Sequence, residues 1–178
     1  MADDLVDEMV ARTEELIEEK EGKEAIAEAT ELSRIDPKDA IVWFVKGKAH
    51  YVEKQFEEAL ASFSKAAEIE RENAHIWHMM GYCLISLNRW QEAEEALEYV
   101  KAVQPENTEA ICALGICQVI QGKPQASSNF KIALALNKQL AISIIEHFYE
   151  NFLSPSQQVS SSTKALIERA IQTLKILY

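Results

Sequence analysis

His75, His78 and Cys112 are the side chains whose types and spacing could bind a metal ion. The two histidines lie one turn apart on a predicted helix, and Cys112 follows His78 at a 34-residue interval. Imidazole and thiolate are both zinc ligands, but a structural zinc site needs four ligands and no fourth is evident. We therefore expect no metal ion. We interpret the histidines as partly aromatic side chains that contact a bound peptide.

Paired carboxylates are the other candidates for chemistry. The pairs are Glu57-Glu58 and Glu94-Glu95. They fall on predicted exposed helix faces, at (i, i+4) spacing to basic neighbours such as Lys54, and exposed carboxylates keep their ordinary acidity. The sequence has no glycine-rich phosphate loop, Gly-x-Ser-x-Gly turn or His-Glu-x-x-His helix. It predicts a protein that is not an enzyme and binds no cofactor.

The cysteines and the N-terminus indicate a cytoplasmic protein. Cys83 and Cys117 are separated by the same 34-residue interval, at the small, buried position that Ala49 fills earlier, so packing explains both. The three cysteines show no Cys-x-x-Cys spacing, which favours a reducing compartment. The first ten residues, MADDLVDEMV, lack the basic region of a signal peptide. No apolar run approaches the roughly 18 residues that span a membrane.

The net charge of −11 is concentrated near the start of the chain. Residues 1–40 contain 14 acidic and 5 basic side chains, and the remainder is almost balanced. One interpretation is a solvated first helix pair whose charge keeps the protein soluble. The other is an acidic end that attracts a basic partner. Because no cluster of Lys and Arg is present, we expect no binding to nucleic acid or to a membrane.

A short residue pattern recurs at a constant 34-residue interval, which is the period of a tandem helix-turn-helix array. Its three clear copies are Trp43, Lys46, Gly47 and His50; Trp77, Met80, Gly81 and Leu84; and Ile111, Leu114, Gly115 and Gln118. Each glycine falls where the first helix of a pair crosses the second, and the missing side chain lets the backbones approach. Asp39, Asn73 and Asn107 precede the first helices, where they can accept from free amide groups.

The pattern resembles the tetratricopeptide repeat. The matching residues are Trp43, Gly47, Ala59, Phe63 and Ala66 in one copy, and Trp77, Gly81, Ala93, Leu97 and Pro105 in the next. A degenerate earlier copy has Met9 and Thr13 at the Trp and Gly positions. The array is expected to end near Asn137, because Tyr149 stands where the next copy needs a glycine. In the last clear copy, Phe130 and Leu134 are expected to supply the bulk that the second helix needs.

The resemblance implies an all-α fold, a right-handed superhelix (α-solenoid) of antiparallel helix pairs with three to four units plus C-terminal capping helices. We expect one domain over residues 1–178, divided into a degenerate repeat (1–39), three repeats (40–73, 74–107 and 108–141) and a terminal helix pair (142–178). The predicted helices are 3–20, 23–34, 40–52, 56–71, 74–87, 91–103, 108–121, 124–137, 140–153 and 163–178. Gly22 is predicted to mark a turn, and Pro124 the first turn of its helix. The terminal pair either caps the last repeat or joins two copies into a homodimer.

First helices line the concave groove of this family, so the resemblance also implies a partner-binding site. We carry the contacting positions onto this chain and expect a largely apolar and aromatic groove that binds another protein or a peptide segment. The candidate residues are Phe44, Lys48, Tyr51, His75, His78, Tyr82, Ile85, Glu109, Cys112, Ile116 and Val119.

The groove positions also separate this chain from relatives that grip the C-terminal carboxylates of heat-shock chaperones. Those relatives use Lys, Asn and Arg at positions that are here Phe44 and Lys48, Met79, and Glu109 and Ala113. A single Lys48 opposite Glu109 would not hold two carboxylates. We therefore predict a non-enzymatic adaptor or scaffold that binds apolar anchors. The alternatives are a chaperone that shields hydrophobic partner segments, similar to class II chaperones of type III secretion, and a self-assembling homo-oligomeric scaffold.

Overall fold

The computed structural model describes residues 2–150, 154, 160–162, 164, 165, 168, 169 and 172. Over these residues it contains nine α-helices and no β-strand. In chain order the helices are α1 (Ala2–Glu18), α2 (Gly22–Ile35), α3 (Ala40–Val52), α4 (Phe56–Ile69), α5 (Ala74–Ser86), α6 (Trp90–Val103), α7 (Thr108–Ile120), α8 (Ala126–Leu136) and α9 (Lys138–Phe148). The all-α prediction is confirmed. The predicted helix at 163–178 lies mostly outside the described residues.

The chain forms two compact units: the first is Met1–Val100 and the second is Lys101–Tyr178. In the first unit, α3 packs against α1, α2 and α4, and α4 also packs against α5. Its core includes Val6, Leu32, Val42 and Val45. In the second unit, α9 packs against both α7 and α8.

Polar caps hold the starts of α3, α5 and α7, as the sequence predicts. The Asp39 carboxylate accepts from the Ile41 amide at 2.9 Å, and the Asn73 side chain accepts from the His75 amide at 3.1 Å. Asn107 accepts from the Ala110 amide at 3.0 Å. These bonds satisfy donors that have no partner within their own helix. The boundaries between repeats are therefore set by local chemistry.

Tryptophan side chains fasten the preceding loop to two of the first helices. The Trp43 indole donates to the Pro37 carbonyl at 2.9 Å, and the Trp77 indole donates to the Arg71 carbonyl at 2.7 Å. The acceptor lies six residues before the tryptophan in both cases. This repeated bond holds each loop against the helix that follows it.

Glycine at the helix crossing is required by contact with the second helix of the pair. A methyl group at Gly47 would lie 2.5 Å from the Phe63 ring, and one at Gly81 would lie 2.9 Å from Leu97. In the second unit, a methyl group at Gly115 would lie 2.9 Å from the Phe130 ring. Phe130 therefore supplies the bulk in the last repeat, as predicted.

A left-handed residue closes the turn between the two helices of each pair. The φ angles are +65° at Lys20, +60° at Lys54, +58° at Asn88 and +69° at Gly122. These four positions follow the same 34-residue interval, yet only the last is a glycine. Non-glycine residues in this conformation store strain, because Cβ approaches the carbonyl oxygen.

The structure corrects three sequence-based assignments. Gly22 does not form the turn after α1; it begins α2, where an added Cβ would collide with the Glu53 side chain. Helix α8 begins at Ala126 and not at Pro124, since its first helical bonds are accepted by the Gln125 carbonyl. Helix α9 begins at Lys138, earlier than predicted, because Asn137 caps it by accepting from the Leu140 amide at 3.0 Å.

Substituting the crossing glycine should destabilise the protein by overpacking. We expect Gly47→Ala to lower the free energy of unfolding by about 2 kcal/mol, because Phe63 is fully buried and cannot move aside. Denaturant unfolding measures the loss. In a Phe63→Leu background, which imitates the pairing of Gly81 with Leu97, the same substitution should cost at least about 1 kcal/mol less. Equal losses in both backgrounds would contradict this account of the crossing.

The turn residues allow a separate test of backbone strain. Gly122→Ala should lower the free energy of unfolding by about 1 kcal/mol. No atom lies within 4 Å of the added Cβ, so the loss would come from the backbone alone. Lys54→Gly should stabilise the protein by about 0.5 kcal/mol, since glycine relieves strain but loses more entropy on folding. Urea unfolding of both variants measures whether their free energies of unfolding change in opposite directions. A Gly122→Ala protein as stable as the unsubstituted protein would refute the argument.

Candidate partner-binding surface

The candidate groove residues lie on three first helices. Those in the first unit are Phe44, Lys48 and Tyr51 on α3, and His75, His78, Tyr82 and Ile85 on α5; those in the second unit are Glu109, Cys112, Ile116 and Val119 on α7. Each unit offers its own set of side chains.

Ring contacts bring the candidates of the first unit together. Phe44 on α3 lies 5.0 Å from the His75 ring on α5 and 5.5 Å from the Phe63 ring on α4. The rings of His78 and Tyr82 on α5 are tilted against each other, with their centres 4.7 Å apart. These separations are typical of favourable aromatic pairs. The face between α3 and α5 therefore contains several aromatic rings.

Tyr51 provides a polar group on the same face. Burial is the main reason that the pKa of Tyr51 is raised, and nearby Cys83 raises it further. Ser86 on α5 is a polar neighbour of this side chain, and its smaller effect lowers the pKa of Tyr51. Tyr51 is therefore a neutral hydrogen-bonding group at physiological pH.

Lys48 is paired within its own unit. Its ammonium group lies 2.7 Å from a carboxylate oxygen of Glu14 on α1, and 5.9 Å from the centre of the Phe44 ring. Glu14 precedes Lys48 by 34 residues, so both occupy the same position in successive repeats. The sequence suggested Glu109 opposite Lys48, and Glu14 was missed although this equal spacing was visible. The bond leaves Lys48 less available to a ligand carboxylate.

Burial divides the candidates into interior and accessible residues. Ile85, Cys112 and Ile116 are at most 3% exposed, so they pack inside their units in this structure. Cys112 packs against Ala133 on α8 and Ala141 on α9. Burial, with a smaller effect of Glu109, raises the pKa of Cys112 to about 12. This thiol stays protonated and acts as a core side chain.

The accessible candidates lie towards the helix ends and the edge of the face. His75 and Glu109 are exposed, whereas Lys48, Tyr51, Tyr82 and Val119 are half-buried. Such residues can contact a ligand without a rearrangement of the core. Their positions came from the repeat frame, but their accessibility depends on the packing of neighbouring helices.

A small pocket opens between the starts of α3 and α5. Its volume is about 150 Å³. It is lined by Ala40, Ile41, Phe44, Glu70, Asn73, His75 and Ile76. Phe44 and His75 were expected as site residues from the sequence, whereas Glu70 and Asn73, which belong to the loop between two repeats, were missed. The sequence had indicated Asn73 only as a helix cap, and Glu70 precedes that cap by three residues.

His78 is buried with an unsatisfied ring nitrogen. It is 6% exposed, and its Nε2 atom has no hydrogen-bond partner. Burial, followed by the charge of nearby His75, lowers the pKa of His78 to about 4. The ring is therefore neutral at pH 7 and adds no positive charge to the face between α3 and α5.

Two further kinds of site are absent from the described residues. No group of three or more His, Cys, Asp or Glu side chains there is arranged to hold a metal ion. None of the described helices combines the length and apolar character needed to cross a membrane.

The fold and its repeated crossings define an all-α helical-repeat protein. Residues 51–114 match the family model described as tetratricopeptide repeat. Residues 51–114 thus carry the tetratricopeptide repeat, within a chain whose described residues form a helical-repeat fold. This family consists of interaction modules and not of enzymes, in agreement with the lack of catalytic motifs in the sequence.

Solved structures share this fold at low sequence identity. "MamA 41-end from Desulfovibrio magneticus RS-1" is 17% identical, over 96% of this chain and 94% of that chain, with a TM-score of 0.73. YrrB, described as a TPR protein with an unusual peptide-binding site, is 19% identical over 90% of this chain and 85% of its own, with a TM-score of 0.68.

A third similar structure contains a bound peptide. The first TPR of Spaghetti (RPAP3), bound to the HSP90 peptide SRMEEVD, is 19% identical over 66% of this chain and 94% of that chain, with a TM-score of 0.64. At such identities the likeness shows the fold. No curated protein sequence matches this chain significantly.

The buried histidine should make stability depend on pH. Unfolded histidine binds a proton near pH 6.5, whereas folded His78 binds one near pH 4, so the unfolded state holds more protons between these values. Stability should therefore fall as the pH drops through this window, by about 2 kcal/mol at pH 5. Urea unfolding at pH 7 and pH 5 measures it. His78→Phe should remove most of this loss, with His147→Phe as the exposed control. An unchanged pH dependence in His78→Phe would disprove it.

Proposed function

We propose that the protein is a non-enzymatic adaptor that binds a peptide or helix of a partner through the face between α3 and α5. The observation that supports this most directly is the open pocket of about 150 Å³ among Ile41, Phe44 and His75. Ile41 is 40% exposed although it is a large aliphatic residue. A pocket with apolar walls and a few polar groups at its edge is the usual form of a ligand site.

The polar groups around the pocket suit the orientation of a ligand. Tyr51 lies on the same face, and the exposed His75 lies at the pocket itself. Burial of apolar anchors supplies the affinity, and these groups set the register of the bound chain. The accessible residues of α7, Glu109 and Val119, are candidates for a separate contact in the second unit.

The chaperone-carboxylate type of recognition does not suit this face. Lys48 already pairs with Glu14, and Phe44 and Met79 stand where such relatives carry polar side chains. A ligand with two terminal carboxylates would lack the cationic donors that it needs. We therefore expect the peptide SRMEEVD, found in the Spaghetti (RPAP3) structure, not to bind here.

Truncating accessible residues should weaken partner binding. Each of Ile41→Ala and Tyr82→Ala should weaken it by about 2 kcal/mol, or roughly thirtyfold in Kd, if these side chains are central contacts. Ile132→Ala removes an aliphatic side chain of similar exposure from α8 and serves as the matched control. Partners retained by the intact protein from cell extract, identified by mass spectrometry, supply the ligand for titration. Equal binding by all variants would refute the assignment.

Light scattering separates this proposal from self-assembly. We expect a constant molecular mass as the protein concentration rises, because the proposed surface serves a different partner. A mass that doubles with concentration, and falls back in Ile41→Ala, would instead favour a homo-oligomeric scaffold.

A further inference from the structure

The pocket between α3 and α5 has the size of one aliphatic side chain. An apolar cavity of about 150 Å³ can hold a group as large as benzene, so a Leu, Ile or Met side chain fits. Ala40, Phe44 and Ile76 are buried residues that form its apolar walls. Ile41 stands exposed at its edge. The pocket is thus suited to one anchor and not to a continuous apolar helix face.

The polar wall of the pocket is negatively charged. Glu70 is exposed, and its Oε2 atom accepts from the Asn73 side chain at 2.8 Å. Asn73 also accepts from the His75 amide, so both of its polar ends are engaged. A carboxylate has about four acceptor positions, and Glu70 keeps most of them for a ligand.

Neither Lys48 nor His78 offsets this charge. Lys48 is held by Glu14 at 2.7 Å, and buried His78 is neutral at pH 7. The α1 positions that correspond to Ile41 and Val52 in the repeat are Asp7 and Glu18, which are both exposed acids. Residues 1–40 as a whole carry 14 acids against 5 basic residues. An acidic ligand would meet repulsion here, whereas a cationic one would be attracted.

We infer that this pocket binds one aliphatic side chain from a segment that carries Lys or Arg within two residues of that anchor, with the cation paired to Glu70. The inference rests on the proposed function, since it specifies the partner of the same surface. It also assigns a role to the acidic charge of the first unit. The apolar anchor supplies binding energy, and the neighbouring cation selects among aliphatic segments.

A displayed library of random twelve-residue peptides tests the chemistry of the ligand. The full chain is immobilised, and selected peptides are tested against Ile41→Ala, with Ile132→Ala as the control. Peptides that lose binding only in Ile41→Ala define the pocket-dependent set. We expect this set to be enriched in Leu, Ile or Met with a Lys or Arg within two residues.

A peptide pair then tests the role of Glu70. One selected peptide is synthesised with its cation and again with Gln in that place. Glu70→Gln should weaken binding of the cationic peptide about fivefold and leave the Gln peptide nearly unchanged. Glu58→Gln makes the same change in net charge at an exposed position of α4 outside the pocket. It should leave both affinities unchanged at equal ionic strength.

The outcomes separate the two proposals. Pocket-dependent peptides with acidic or uncharged neighbours would overturn the inference while leaving the adaptor function intact. Equal effects of Glu70→Gln and Glu58→Gln would also overturn it, because the attraction would then be general. A library without any pocket-dependent peptide would overturn the inference and the proposed peptide-binding function together. Circular dichroism of each variant confirms that the helices are retained.

Discussion

The close approach of two helices across a glycine is the constraint on which the rest of the structure depends. Gly47 against Phe63, and Gly81 against Leu97, leave no space for even one methyl group. Because the second helix fills this space with a large buried side chain, the crossing can form in only one register. That register determines which residues of the first helix enter the core and which remain at the surface.

The crossing repeats, but the surface chemistry that it exposes does not. The same position of four successive repeats is occupied by Glu14, Lys48, Tyr82 and Ile116. Its first two occupants pair with each other, the third packs against His78, and the fourth is buried in the second unit. The same backbone position therefore carries a charged, an aromatic or an aliphatic side chain, depending on the repeat. Specificity in such a protein comes from the order of these groups along the array.

Burial also decides the charge of the proposed binding surface. His78 would carry part of a positive charge near neutral pH if it were exposed, but removal from water keeps it neutral. The ammonium group of Lys48 is directed to Glu14. The carboxylate of Glu70 has no such counterpart among these groups. An apolar pocket with a negative edge results, although the aromatic residues alone suggested a surface with little charge.

The sequence by itself determined the helices, the caps and the crossings, since these depend on local hydrogen bonds and on a 34-residue period. Only the tertiary structure decided which residues of neighbouring repeats contact one another. It paired Lys48 with Glu14 and placed Glu70 beside the pocket. Gly22 illustrates the reason: the sequence suggested a turn, but the residue begins α2 and lies against the Glu53 side chain, almost one repeat further along the chain. Contacts and burial of this kind depend on distances in space, which a one-dimensional pattern does not contain.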